Sequence, residues 1–220
     1  MKSRTVIGHQ GMGDLMVING GLRTMAKQSH IALPVMAWYG FESIKWMLRD
    51  DPRITVLPVS LTLWEDLEHR ASGGEITQIC ERGARYDTLK AVESMYRNMG
   101  CPPSRVWDGF HFERDRSIEQ AKPDGDYCFV HDDNERGFVI KSSRLPGSPA
   151  VRPSFSTSRN IFALLATIEG ASEIHVIHSC FFVLCELIPS LVKGKRLCLH
   201  WYARRVFPLW PRRLKWEILK

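Results

Sequence analysis

A short apolar run that breaks off at a glycine-rich turn and passes at once into a helical pattern leaves a chain few ways to fold. Thr5-Val6-Ile7 is such a run, and Gly8-His9-Gln10-Gly11-Met12-Gly13-Asp14 is the turn. The pattern reads as the first strand-to-helix junction of an α/β sheet. Glycines permit a tight turn and a close approach of backbone to ligand. A helix start presents unpaired N–H groups and a positive dipole end, which suits a phosphate. Asp14 does not suit one. A carboxylate there repels a phosphate, so it reads either as a helix N-cap or as a base toward a second substrate.

The alternation continues. Residues 14–28 carry Leu15, Ile18, Leu22, Met25 and Ala26 on one helical face, and Gly20-Gly21 inside it implies that something packs close. Residues 31–38 and 54–59 read as further strands, with a short helix over 41–48. The order β-α-β-α-β implies a mainly parallel sheet with right-handed crossovers. Residues 64–72 and 87–99 read as helices. The charged segment 114–125 is the expected domain boundary. A second unit then begins at Tyr127-Cys128-Phe129-Val130, ends its strand in His131-Asp132-Asp133, and continues with Phe138-Val139-Ile140 as a strand and 142–158 as a loop. Thr157 or Ser158 caps a helix over 160–169. A strand over 174–178, a helix from Ser179 through Leu191 and a strand over 196–200 complete it. The expected fold is α/β: two small Rossmann-like lobes facing each other across a cleft, at 1–122 and 123–203, and a basic aromatic C-terminal helix over 204–220.

Charge sharpens the last of these. The chain has a net charge of +6 over 220 residues. Much of the excess follows Lys193, where Trp201, Tyr202, Phe207, Trp210 and Trp216 are interleaved with lysine and arginine. A basic aromatic segment suits an anionic membrane surface, so peripheral contact through 201–220 at the inner membrane face of the cytoplasm is expected. Nucleic acid is a rival partner, and a helix burying its aromatics on the body is the plain alternative. No apolar run is long enough to span a bilayer. No signal peptide is evident. The six cysteines form no CxxC pair and show no zinc spacing, so they read as reduced thiols.

Two facing lobes make a cleft at the carboxyl ends of their strands. Three stretches end strands there: the glycine turn with Asp14, His131-Asp132-Asp133, and His178-Ser179. With Gly11, Gly13 and Asp14 in the first turn, and Ser179 opening a later helix, the chain resembles the GT-B glycosyltransferases, in particular the heptosyltransferase group, glycosyltransferase family 9. That group's Gly-x-Gly-Asp turn is matched; of its Asp-Ser/Thr-Gly turn only Ser179 is, with His178 before it and Cys180 after. The resemblance implies a nucleotide-sugar donor, a glycan or lipid-linked acceptor, and Asp14 as candidate base, with no metal and no cofactor.

On chemical grounds, sugar transfer needs a base at the acceptor and positive charge at the leaving phosphate. Asp14 and His9 are the catalytic candidates. Gly11, Gly13, His131, Asp132, Arg136, Asn160, His178, Ser179 and Cys180 are the donor-binding candidates, with Lys141 or Arg159 as further cations. Asp132 and Asp133 are adjacent, whereas a metal-binding Asp-x-Asp separates its acids by one residue. A nucleotide-sugar epimerase or hydrolase of the same fold, and a basic nucleic-acid-binding domain, are the rival functions.

Overall fold

The computed structural model describes residues 2–8, 11–37, 40–72, 76–79, 89–153, 159–204 and 212–220. His9, the caps Thr157 and Ser158, Phe207 and Trp210 lie outside them. The chain divides into two compact units, Met1–Arg114 and Asp115–Lys220.

In the first unit the order is β1 (Lys2–Ile7), α1 (Met12–Val17), α2 (Asn19–Ala26), β2 (Ser29–Met36), α3 (Phe41–Leu48), β3 (Ile54–Val59), α4 (Leu61–Ser72), β4 (Thr77–Gln78), α5 (Leu89–Asn98) and α6 (Arg105–Asp108). The strands form one sheet in the order β3-β2-β1-β4, parallel at every pairing. Chain order runs outward from β1 to β3 and then returns to the other side of β1. The direction therefore reverses between β1 and β4, the position at which open α/β sheets leave a crevice. Pro34 sits in the central strand β2. Ile31 and Ala37 donate toward β3, so the missing N–H of Pro34 faces β1, just past the last β1–β2 pair, Thr5 with Ala32. The proline is tolerated because that ladder has already ended.

The expected single helix over 14–28 is two helices, broken at Ile18 (φ −80°, ψ 0°). Its glycine pair has a packing reason. A Cβ on Gly20 would land on the carbonyl oxygen of Arg105 and lie 2.9 Å from the carbonyl carbon of Gly109. One on Gly21 would meet Met99 and Tyr96. Helix α2 thus pairs backbone to backbone with α6. Nearby, buried Asn19 holds the segment after α6 by both backbone groups of His111, each at 3.0 Å. Arg23 donates to the Asn19 oxygen at 3.2 Å and clamps Asp50 with both Nη atoms. Trp46 and Phe112 stack at 5.7 Å, so the aromatics after α6 pack onto the body of the unit. Gly20→Ala is expected to lose about 1–3 kcal/mol through overpacking, read as a lower Tm.

The second unit contains β5 (Cys128–His131), β6 (Ala150–Val151), α7 (Leu165–Gly170), β7 (Glu173–Val176), α8 (Cys180–Leu187), β8 (Arg196–His200) and β9 (Glu217–Leu219). Its sheet is parallel throughout, in the order β6-β5-β7-β8-β9. Here the direction reverses between β5 and β7. Phe129 and His131 of β5 meet Phe181 of α8 at 5.3 and 4.4 Å. The alternate residues Cys128 and Val130 face the other way, into a small core with Ile140 and Ile177, against which Phe138 and Leu145 pack.

Three expectations are corrected here. Phe138–Ile140 is no strand: only an isolated bridge joins Asp133 to Phe138. The segment read as a loop supplies β6. The basic aromatic helix expected over 204–220 is absent from the described residues 212–220, where Glu217–Leu219 forms the sheet's edge strand instead. The cause is buried Glu186 of α8, which accepts from Trp216 Nε1 at 2.7 Å and from the Arg213 amide at 2.7 Å. Those bonds draw Trp216 into the body and hold the chain extended. No helix among the described residues is long and apolar enough to cross a membrane.

Candidate functional site

In the first unit the glycine turn leaves the carboxyl end of β1 where the strand order reverses. A Cβ on Gly8 would stand 3.1 Å from both Leu15 and Ile18 side chains, so this glycine lets the helix pack down on the strand. Gly11 occupies the N-cap position of α1 with φ −72°, an ordinary extended backbone, and Gly13 lies within the helix. Asp14 is therefore the third helical residue, not the N-cap. It is half-buried in the first turn of α1. A carboxylate in that place interacts favourably with the helix dipole.

The second unit gathers more. His131 ends β5, and Ser179 stands at the N-cap position of α8, directly beyond β7. Their side chains meet at 3.0 Å, His131 Nδ1 to Ser179 Oγ. Ser179 is extended (φ −148°, ψ −178°) and makes no side-chain cap to its own helix. The hydroxyl is turned to the histidine, and the leading N–H groups of α8 have no serine cap. Burial pushes the His131 imidazole down to about 4, against the upward pull of Asp132 and Asp133. Near neutrality the ring is uncharged. Burial also pushes the Cys180 thiol up to about 12, which makes it a poor nucleophile.

Two guanidinium groups act electrostatically on both His131 and Cys180: those of Arg136 and Arg204. Arg204 donates to the His178 carbonyl at 2.7 Å and lies over the Phe138 ring. Arg136 lies over the same ring and pairs with Asp133. Against burial, which pulls it upward, hydrogen bonds from Arg136 hold the Asp133 carboxyl below its usual range. Asp132 faces elsewhere: it accepts from the Ile140 amide at 3.0 Å and pairs with Arg152. The two adjacent acids are thus engaged by separate arginines.

The expected site residues divide accordingly. His131, Arg136, His178, Ser179 and Cys180 come together at the reversal between β5 and β7. Asp132 is turned to Arg152, and the side-chain oxygen of Asn160 accepts from the Phe162 amide at 3.1 Å to cap a short 3-10 turn. Gly11, Gly13 and Asp14 belong to the first unit. Arg204 was missed as a site residue. Its signal was its position four residues beyond the end of a strand, hidden by its place in a basic segment. Among the described residues, one group of metal-capable side chains, Glu173, His175 and Cys198, lies within 4.8 Å, on the opposite face of the second sheet.

The neutral His131 has a measurable consequence. An unfolded histidine titrates near 6.5, so the unfolded chain binds more protons than the folded one between about pH 6.5 and 4. The contribution of His131 to stability is fully present above that window and is lost as pH falls through it, by up to about 3 kcal/mol. Thermal melts across the window should show this loss, and His131→Asn should flatten the slope.

No family model and no curated protein matches the chain. Two solved structures are similar to it. One is the Escherichia coli ADP-heptose LPS heptosyltransferase II, 12% identical, with a TM-score of 0.49 over 100% of this chain and 90% of that one. Another is the E. coli heptosyltransferase WaaC with ADP, 10% identical, with a TM-score of 0.40 over 90% of this chain and 86% of that one.

Proposed function

We propose that the protein is a glycosyltransferase that moves a sugar from a nucleotide diphosphate-sugar to a hydroxyl on a glycan or lipid-linked acceptor. The observation that carries this reading is the assembly at the β5–β7 reversal: an α8 start that Ser179 does not cap, a neutral histidine and two arginines, a seat for a diphosphate. The acceptor oxygen attacks the anomeric carbon, and the bond from that carbon to the diphosphate oxygen breaks with its electron pair. Asp14 is the candidate base for the acceptor proton. The leaving diphosphate is neutralised by Arg136, Arg204 and the amides of Ser179 and Cys180, with Lys141 or Arg159 as further candidate cations. His131 holds the Ser179 hydroxyl away from the helix amides. Asn160, whose oxygen is occupied, offers its NH₂ to the ribose. His9 is a second candidate at the acceptor. This neutralisation needs no metal, and Asp132 and Asp133 serve to fix Arg152 and Arg136.

A screen of nucleoside diphosphates by thermal shift tests the seat. A true ligand at a hundredfold excess over its Kd stabilises by roughly 2.7 kcal/mol, and no response to any of them removes the reading. The contact between Ser179 and His131, a hydroxyl against a neutral imidazole, favours one second reading, a nucleotide-sugar hydrolase. Donor consumed without any acceptor is its mark.

The same reading brings the protein to the inner face of a membrane through its exposed basic side chains, among them Lys193, Arg212, Lys215 and Lys220. Sedimentation with vesicles containing an anionic lipid should exceed that with neutral vesicles and fall with added salt. Equal sedimentation with both excludes the contact.

A further inference from the structure

The face of the second sheet turned away from α8 carries a polar cluster that sugar transfer leaves unused. Register sets Glu173 beside Arg196, His175 beside Cys198, and Cys198 beside Glu217. Side chains two apart share a face, so three adjacent strands bring two carboxylates, an imidazole and a thiol to one place. The donor atoms of Glu173, His175 and Cys198 all lie within 4.8 Å of one another. Glu173 Oε2 is 3.1 Å from His175 Nε2, and Glu217 Oε2 is 3.9 Å from Cys198 Sγ. Tetrahedral zinc, with bonds of about 2.0–2.3 Å, requires donors about 3.3–3.8 Å apart. Contraction of these three by about 1 Å at their widest meets that requirement, and Glu217, outside the 4.8 Å group, reaches it from the Cys198 side.

We propose that Glu173, His175 and Cys198, with Glu217 as fourth donor, form a zinc-type divalent metal site that fastens β7, β8 and β9 to one another. The donor set mixes nitrogen, sulfur and oxygen as zinc accepts them. His175 and Cys198 are buried, while Glu173 is half-buried and Glu217 exposed, so the acidic side is the way in. An outer shell stands ready. His175 Nδ1 lies 2.9 Å from His200 Nε2, His200 Nδ1 lies 3.1 Å from the Tyr202 hydroxyl, and that oxygen accepts from the Lys141 amide at 3.0 Å. Metal at His175 Nε2 selects the tautomer that donates from Nδ1 to His200, the usual device for fixing a ligating ring. Burial keeps His175 below its ordinary range, hence neutral, and pushes the Cys198 thiol up to about 11. Binding therefore releases the Cys198 proton to solvent. Arg196, half exposed, lies across both carboxylates, 3.2 Å from Glu173 and 2.9 Å from Glu217. It is the cation's competitor and swings into solvent when the metal enters.

Cobalt titrated into metal-free, untagged full chain decides the matter. Stoichiometric binding with a thiolate-to-cobalt charge-transfer band is expected, displaced by zinc, and zinc is expected to raise Tm. Cys198→Ala should abolish the band, which separates this thiol from the other five cysteines. Glu173→Gln, at the half-exposed margin, should fold and weaken binding at least about tenfold, as loss of even an outer-shell partner does. Arg196→Ala should tighten it. Absence of saturable binding, a band that persists in Cys198→Ala, or unchanged affinity in Glu173→Gln overturns the proposal. Transfer activity plays no part in these readouts.

Discussion

In the Asp14→Asn protein, transfer is expected to fall by about 100- to 10,000-fold, the range that a positioned general base supplies. Donor binding and the fold should stay close to those of the parent chain. Two roles compete for this carboxylate, and their magnitudes separate them. As a first-turn acid of α1 it contributes about 0.3–1 kcal/mol to the helix through the dipole, so a purely structural Asp14 predicts a slightly lower Tm and unchanged turnover. As the base, it predicts a collapse of kcat with the donor KM almost unmoved. Asparagine keeps the shape and removes the proton acceptor, so the substitution tests the chemistry with little disturbance of the turn. Full turnover in this variant takes Asp14 out of the mechanism.

Arg204→Ala carries the second large effect. Its guanidinium faces the start of α8 together with Arg136, and a hydrogen bond from a charged group contributes about 1.5–3 kcal/mol. Nucleoside diphosphate affinity is therefore expected to drop about 10- to 100-fold. Arg204→Lys should fall between parent and alanine, because it keeps the charge and loses the planar fork. The bond from Arg204 to the His178 carbonyl is also lost, so a melt of the unliganded variant is needed to remove any change in folding from the measured affinity. Undiminished affinity in a folded Arg204→Ala protein assigns the diphosphate to other residues.

What the sequence made legible is local. The run Thr5–Ile7, the glycines after it, and the apolar spacing of 174–187 mark strand-to-helix junctions because each signal lies within a dozen residues. The parallel α/β character follows from their alternation. Ser179 could be placed at a helix start for the same reason. What failed depends on partners distant in the chain. Trp216 lies among basic residues and reads as one stripe of an amphipathic helix until Glu186, on α8, takes its indole N–H. Gly20 shows a cost without showing α6, whose backbone explains it. Asp14 moved from N-cap to third helical residue because Gly11 starts the helix, a matter of two residues at the least readable part of any element. Arg204, and the cluster of Glu173, His175 and Cys198, depend on the register of β7, β8 and β9. No spacing along one strand reveals a ligand set drawn from three of them.

The most direct measurement is an amide NMR titration of the isotope-labelled protein with nucleoside diphosphates. If the diphosphate seat lies at the β5–β7 reversal, the backbone amides of Ser179, Cys180 and Phe181 and the ring of His131 shift together and saturate with one Kd. Saturable shifts confined to other parts of the chain, with these resonances unmoved, contradict the assignment of the donor to this end of the sheet.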